Sequence, residues 1–350
     1  VAVATTTGLF SLEGASLHFP IAASASIAIW GAVLAFYGCQ RPQSRLLGAG
    51  VTAISIQTLI NAGSVLGLFP PETPAVIEVA LPILWGATSV VANVAWLVPF
   101  IALSGRRCVV TLSSCILFSS LICLILGRFP AEVQGLLLIL SGIACVALFV
   151  LGHRMHLTGK VAFIPKGPQT RSEAIRRTAQ QMRELWSPLL VYVAATVTLG
   201  FVSAFLASNP LNESSLTRNL ATIAGAVLTT LLAILANRMF NLRKAFQAIF
   251  PVLALLLAIL PFAGESIGAP IFHTLLVFLY TVVNASTLFL LVQTARVKGA
   301  PVVALTASFM CIARTCLVAS LIAGAVLGSR LKVDDFVRML VLVVVVIYIL

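Results

Sequence analysis

The chain has 350 residues, of which 60% are hydrophobic and 9% are charged, and its formal net charge is +12. A soluble protein needs a polar outer shell, which this composition does not supply, so soluble globular folds are excluded. The positive charge does not indicate nucleic acid binding, because Lys and Arg lie in short loops between apolar runs. Basic loops of this kind are retained on the cytoplasmic side when a membrane protein inserts.

Most of the chain consists of apolar runs close to the roughly 20 residues that a helix needs to cross a bilayer core. In chain order, the predicted spans are 20–38, 46–68, 76–103, 107–127, 131–152, 188–207, 216–236, 245–263, 267–294, 300–328 and 336–350. Residues 1–10 are typical of the end of one more helix, and 336–350 stops while still apolar. We therefore expect a fragment whose first helix is mostly missing and whose last helix is truncated.

The charges of the loops predict the orientation of these spans. Alternate loops are rich in Arg and Lys: Arg41 and Arg45; Arg106 and Arg107; the segment 154–183; Arg238, Arg243 and Lys244; Arg296 and Lys298. Most acids lie in the intervening loops and helix ends, at Glu13, Glu72, Glu78, Glu132, Glu213, Glu265, Asp334 and Asp335. By the positive-inside rule, the basic loops and the end of the chain are predicted to be cytoplasmic in a multi-pass protein of the inner membrane.

The segment 153–187 is the one long polar stretch, and it divides the chain. Thr170 and Glu173 have the spacing of a capping box. An apolar stripe follows, flanked by basic residues: Ile175, Ala179, Met182 and Trp186, with Arg176, Arg177 and Arg183 beside them. This pattern predicts a helix lying on an anionic cytoplasmic leaflet, and a nucleic-acid patch is the weaker alternative.

A weak internal repeat indicates two halves. VAVATTTGLF at 1–10 aligns with VAATVTLGFV at 193–202, and each leads through an acidic loop and a helix into a short basic loop, GCQRPQSR or ANRMFNLRK. The predicted domains are 1–152, an N-terminal helical half; 153–187, a linker; and 188–350, a C-terminal helical half. The fold class is an all-α polytopic membrane protein.

With these loops, the chain resembles the major facilitator superfamily, whose 6+6 helix bundle holds its substrate between the halves. In that family the loop after the second helix carries Gly, Asp and a basic tail; here Gly38, Arg41 and Arg45 remain, and Asn237 stands in for Asp in the second half. In general character the segments RRTAQQMRELWSPLLVY and SFMCIARTCLVASLIAGAVLG resemble the membrane half of LuxR-type regulators. That resemblance implies a sensor whose only link to DNA is a helix-turn-helix outside the chain.

Arg314, in the middle of the span 300–328, is the leading candidate for a binding residue. A charge inside a membrane is costly and marks a functional site by default. The guanidinium suits a carboxylate or a phosphate. The alternatives are that it pairs with an acid of the missing first helix, binds backbone carbonyls, or extends toward an interface.

Polar residues on helix faces complete the predicted binding set: Gln57, Asn61, Asn93, His273 and Asn284. Each has a structural alternative, an interhelical hydrogen bond for the amides and a buried core position for His273. No arrangement indicates catalysis, a cofactor or a metal, and the seven cysteines have no metal-ligand spacing.

Two functions remain open at this point. The first is a membrane sensor that passes the binding of a small-molecule ligand to a cytoplasmic DNA-binding domain. The alternative is a secondary transporter of a small, anionic solute. The lipid bilayer is the expected partner in both cases.

Overall fold

The computed structural model describes residues 17–37, 43–69, 75–103, 105–157, 170–208, 215–235, 265–299 and 301–330, and within these ranges its regular structure is helical. The helices are α1 His18–Tyr37, α2 Gln43–Val65, α3 Ala75–Leu97, α4 Gly105–Leu126, α5 Ala131–Leu157, α6 Arg171–Glu184, α7 Trp186–Ser208, α8 Ser215–Leu235, α9 Glu265–Lys298 and α10 Val302–Gly328. A 3-10 turn, Pro99–Ala102, follows α3.

The predicted spans correspond to helices that begin and end within a few residues of the predicted limits. In the described part of the chain, seven helices are long and apolar enough to cross a membrane, while apolar stretches in α4 and α8 are shorter. The predictions at 1–10, 245–263 and 336–350 lie outside the described residues. The expected all-helical, polytopic fold is confirmed for the residues that the structure describes.

α6 has the predicted start, and it packs on the bundle mainly through a face beside its apolar stripe. Thr170 is its N-cap, and the Thr170 hydroxyl accepts a hydrogen bond from the backbone N–H of Glu173 at 3.3 Å. The helix buries Ala174, Thr178 and Gln181. Ile175, which is 45% exposed, and Ala179 of the apolar stripe turn away from the protein, while Met182 packs against the main hydrophobic cluster.

α10 makes the most extensive helix contacts in the described bundle, against α1 and α7. A β-carbon at Gly31 of α1 would lie 3.1 Å from the carbonyl oxygen of Ala307, and one at Gly324 would lie 2.4 Å from that of Phe201 in α7. Helices in lipid associate through such close packing of small residues. Gly324, the first glycine of the GxxxG pair Gly324 and Gly328, thus serves close packing inside the bundle.

By chain order, the helices before α6, α1–α5, and those after it, α7–α10, are here called the two groups; α3 contacts α10 and α4 contacts α9 across their boundary, and two further contacts are larger. α1 packs against α10, and α4 packs against α8. The second contact contains a small buried cluster, Ile116, Ala226 and Ala285 from α4, α8 and α9. The largest hydrophobic cluster includes residues of both groups, so the core is continuous across their boundary.

We predict that Gly324→Ala destabilises the protein, because the added methyl group would overlap a backbone carbonyl and force α10 away from α7. Overpacking of this kind costs about 1–3 kcal/mol. The melting temperature in detergent measures the effect. Gly48→Ala in α2 is the matched control, since a β-carbon there meets nothing within 4 Å. Equal melting temperatures for the two variants would contradict the close approach.

Candidate functional site

Arg314 lies near the middle of α10 and is 5% exposed. Its Nη1 nitrogen is buried and has no hydrogen-bond partner in the described part of the chain. Ala307 and Cys311 share its helical face, and their backbone atoms approach Gly31 of α1. The guanidinium is thus on the face of α10 at which the two groups of helices meet.

Gln57 of α2 is the second buried candidate. It is 3% exposed, and neither its Nε2 nor its Oε1 has a partner among the described residues. Burying an amide without hydrogen bonds costs about 1–3 kcal/mol in proteins. The residue thus has unused donors and acceptors inside the bundle.

Two other candidates are hydrogen-bonded within the first group of helices. The Asn61 carbonyl oxygen accepts a hydrogen bond from the indole N–H of Trp85 at 3.1 Å, which joins α2 to α3. Asn93 donates to the hydroxyl of Ser89 one turn away, at 3.5 Å. α2 and α3 are joined by a short loop and run antiparallel. Gln57 lies one turn before Asn61 and Ser89 lies one turn after Trp85, so Gln57 and Ser89 are at the same level.

The second group holds an aromatic cluster whose members lie outside the predicted binding set. The hydroxyls of Tyr192 in α7 and Tyr280 in α9 lie 3.2 Å apart, and the Tyr192 ring is 4.9 Å from that of Phe309 in α10. Tyr280 has helical spacing with the predicted residues His273 and Asn284, whereas Tyr192 and Phe309 stand alone among apolar residues. Their contact with each other is seen only in the folded structure.

The predicted set is thus divided between the two groups of helices. Gln57, Asn61 and Asn93 lie in α2 and α3, while Arg314 and Asn284 lie in α10 and α9, and Asn284 is buried. Among the described residues, no hydrogen bond joins one group of candidates to the other. His273 is in α9, but its side chain lies outside the described residues.

Polar contacts join the two groups on the membrane side at which α6 lies, here called the α6 side. Arg296 of α9 donates to the carbonyl of Leu103, after the 3-10 turn, at 2.5 Å. Arg177 binds Glu173 and also donates to the carbonyl of Gly299 at 3.3 Å. Lys298 pairs with Glu184. The contacts of Arg177 with Gly299 and of Glu184 with Lys298 hold α6 against the turn between α9 and α10.

The other basic residues of α6 have different surroundings. The Arg171 guanidinium lies 4.2 Å from the centre of the Phe36 ring at the end of α1. Arg176 and Arg183 are exposed, and so is Trp186. Of the predicted surface set, Arg177 is therefore engaged with the protein, whereas Arg176, Arg183 and Trp186 face outward.

Metal-ligating side chains do not cluster in the part of the chain that the structure describes: no group of three His, Cys, Asp or Glu is close enough to hold an ion. The described cysteines are free thiols.

Comparisons with known proteins identify the fold. No family model and no curated protein sequence matches the chain. Its structure is similar to that of the human organic anion transporter MFSD10 (TETRAN), with a TM-score of 0.57 and 14% identity over 98% of this chain and 86% of that chain. The nucleoside transporter NupG matches at a TM-score of 0.40 and 14% identity, over 99% of this chain and 94% of that chain. The first likeness shows that the chain has a major-facilitator-like fold.

The main functional prediction from the sequence is wrong. MFSD10, the fold of which this chain shares, is described as a transporter, and nothing in the comparisons indicates a LuxR-type regulator. The facilitator-like part of the resemblance holds, and the alternative of a secondary transporter fits the comparisons better. The physical reason for the error is that basic loops and apolar spans encode the fold of the membrane domain, which the two classes share.

We predict that Gln57→Met leaves the melting temperature unchanged or raises it. The corresponding gain in the free energy of unfolding is at most about 1 kcal/mol. Met has a similar volume and removes an amide that has no partner in the described bundle. Asn61→Leu is the comparison variant, and it should lower stability by about 0.6 kcal/mol because it breaks the bond to Trp85. A loss in Gln57→Met as large as that in Asn61→Leu would contradict the unpartnered state of Gln57.

Proposed function

We propose that this chain is the membrane domain of a secondary transporter that carries a small organic anion. Its halves are 1–152 and 188–350, and 153–187 is a tether on the cytoplasmic side of the membrane. The facilitator-like fold supports transport, and MFSD10, which shares this fold, is described as an organic anion transporter. The observation that carries the proposal for this chain is the buried, incompletely paired guanidinium of Arg314.

The choice of an anion follows from the energetics of that guanidinium. A charge at this depth in a membrane protein costs several kcal/mol unless it is paired. A carboxylate or phosphate on the solute would accept hydrogen bonds from the planar fork and offset this cost. The rest of a small organic solute would contact apolar and aromatic side chains, as is usual in ligand sites.

The position of Arg314 suits a carrier. It faces the α1–α10 contact, where one group of helices meets the other, and substrate sites of facilitator-type proteins lie at such a boundary near the midplane. On the α6 side, the Arg296–Leu103 contact joins the same two groups. Release of a solute toward that side requires that this contact open, while the α1–α10 contact serves as the hinge region.

We predict that Arg314→Gln abolishes the rise in melting temperature that organic anions produce in the purified protein. A panel of aromatic and aliphatic carboxylates and phosphate esters is tested beside the neutral amides of the same acids. Loss of a charged hydrogen bond costs about 1.5–3 kcal/mol, which corresponds to about a tenfold or greater loss of affinity. Arg314→Lys keeps the charge without the fork and should bind with intermediate affinity.

Arg330→Gln is the matched control, because Arg330 is exposed just beyond the end of the same helix. It should retain both the anion-induced stabilisation and the uptake of the same anion into proteoliposomes. Stabilisation that survives in Arg314→Gln would remove Arg314 from the site. Binding without any uptake in the unmodified protein would contradict transport while leaving the anion site intact.

A further inference from the structure

Three members of the apolar stripe, Ile175, Ala179 and Trp186, are exposed, whereas Met182 packs against the main hydrophobic cluster. The helix buries a different face, Ala174, Thr178 and Gln181. Trp186, at the start of α7, continues the outward stripe and is 55% exposed. An exposed Trp beside basic residues is typical of the interface between lipid headgroups and acyl chains.

A groove of about 530 Å³ begins beside this stripe. It is lined by Met182, Arg183, Trp186, Leu189 and Ile312, so it runs from the end of α6 along α7 to α10. The groove is shallow and largely open along its length, so it suits an occupant that lies along the surface of the bundle. One end carries a guanidinium and an indole, and the remainder is aliphatic.

The groove opens toward lipid rather than toward the boundary between the two groups of helices. Ile312 belongs to an exposed stripe of α10, whose members recur at helical spacing: Ile312, Thr315, Ala319, Ile322 and Val326. Arg314, by contrast, is on the buried side of the helix. A solute bound at Arg314 and an occupant of the groove would therefore occupy different places.

The groove extends along the membrane normal. Gly200 of α7 lies against Leu317 and Ser320 of α10, which fixes the relative level of these two helices. On that register, Trp186 is level with residues near 306 of α10, and Ile312 is roughly 9 Å deeper in the membrane at a rise of 1.5 Å per residue. The charged end is thus at the membrane surface and the aliphatic end is below it.

Arg183 is a cation with no protein partner among the described residues. Its neighbours on α6 are already engaged: Arg177 binds Glu173, and Glu184 pairs with Lys298. Neither carboxylate is therefore left to neutralise Arg183. An anionic group at the mouth of the groove would complete the pairing.

We propose that this groove binds one anionic phospholipid from the leaflet on the α6 side. The lipid phosphate lies on Arg183, the indole of Trp186 lies at the level of the glycerol backbone, and one acyl chain follows Leu189 and Ile312. Basic pockets between helices at a membrane surface bind anionic headgroups by this chemistry. The site is independent of the transported solute and of Arg314.

The test uses quenching of tryptophan fluorescence by brominated phosphatidylglycerol, added to the full chain in detergent. Trp30→Phe provides the background, because Trp30 is the other exposed indole among the described residues. In this background Trp186 should be quenched saturably, and Trp186→Phe should remove that quenching. Arg183→Gln should weaken the apparent affinity about tenfold, and brominated phosphatidylcholine should bind about tenfold more weakly than the anionic lipid.

Arg176→Gln is the matched control, since Arg176 is an exposed arginine on the same helix that does not line the groove. It should bind the anionic lipid with unchanged affinity, whereas Ile312→Phe, which fills the aliphatic end, should weaken binding with Arg183 intact. Equal weakening in Arg176→Gln and Arg183→Gln would show diffuse attraction to the leaflet and overturn the site. Displacement of the lipid by soluble glycerol phosphate would show a soluble-anion site and also overturn the proposal.

Discussion

Helices in a bilayer gain little from the hydrophobic effect when they meet, so the contacts of α10 depend on how near two backbones can come. Glycines on α1, α7 and α10 allow this approach, at Gly31, Gly200 and Gly324. Through them α10 touches both groups of helices at once. The position of α10 therefore determines the burial of Arg314, the level of the groove beside Trp186 and the boundary between the groups.

The spans and the cap of α6 could be predicted from the sequence because they depend on local properties. Hydropathy locates a membrane helix to within a few residues, and the Thr170–Glu173 spacing locates a helix start. The depth of Arg314 was predicted for the same reason, since one charge in a long apolar run has a definite level along its own helix. These features need no knowledge of which helices are neighbours.

Features that depend on neighbours could not be predicted. The hydrogen bond from Trp85 to Asn61 joins two helices, and the contact of Tyr192 with Tyr280 joins residues 88 apart in the chain. The buried face of α6 is the clearest case. The pattern predicts an apolar stripe against the leaflet, but it does not show that the bundle buries Ala174, Thr178 and Gln181, because their burial depends on the attachment of Arg177 and Glu184 to the turn at residues 298–299.

Those attachments determine how α6 would respond if the two groups of helices rock against each other. Among the described residues, its first residue contacts the first group through the exposed Arg171–Phe36 pair, an interaction worth about 0.5–1 kcal/mol. Toward the second group it has an ion pair, a backbone hydrogen bond and a connection of one residue, Leu185, to α7. The Phe36 contact is therefore the weaker joint. In such a movement we expect α6 to move with the second group, so that Arg171 changes its position relative to Phe36 at the end of α1.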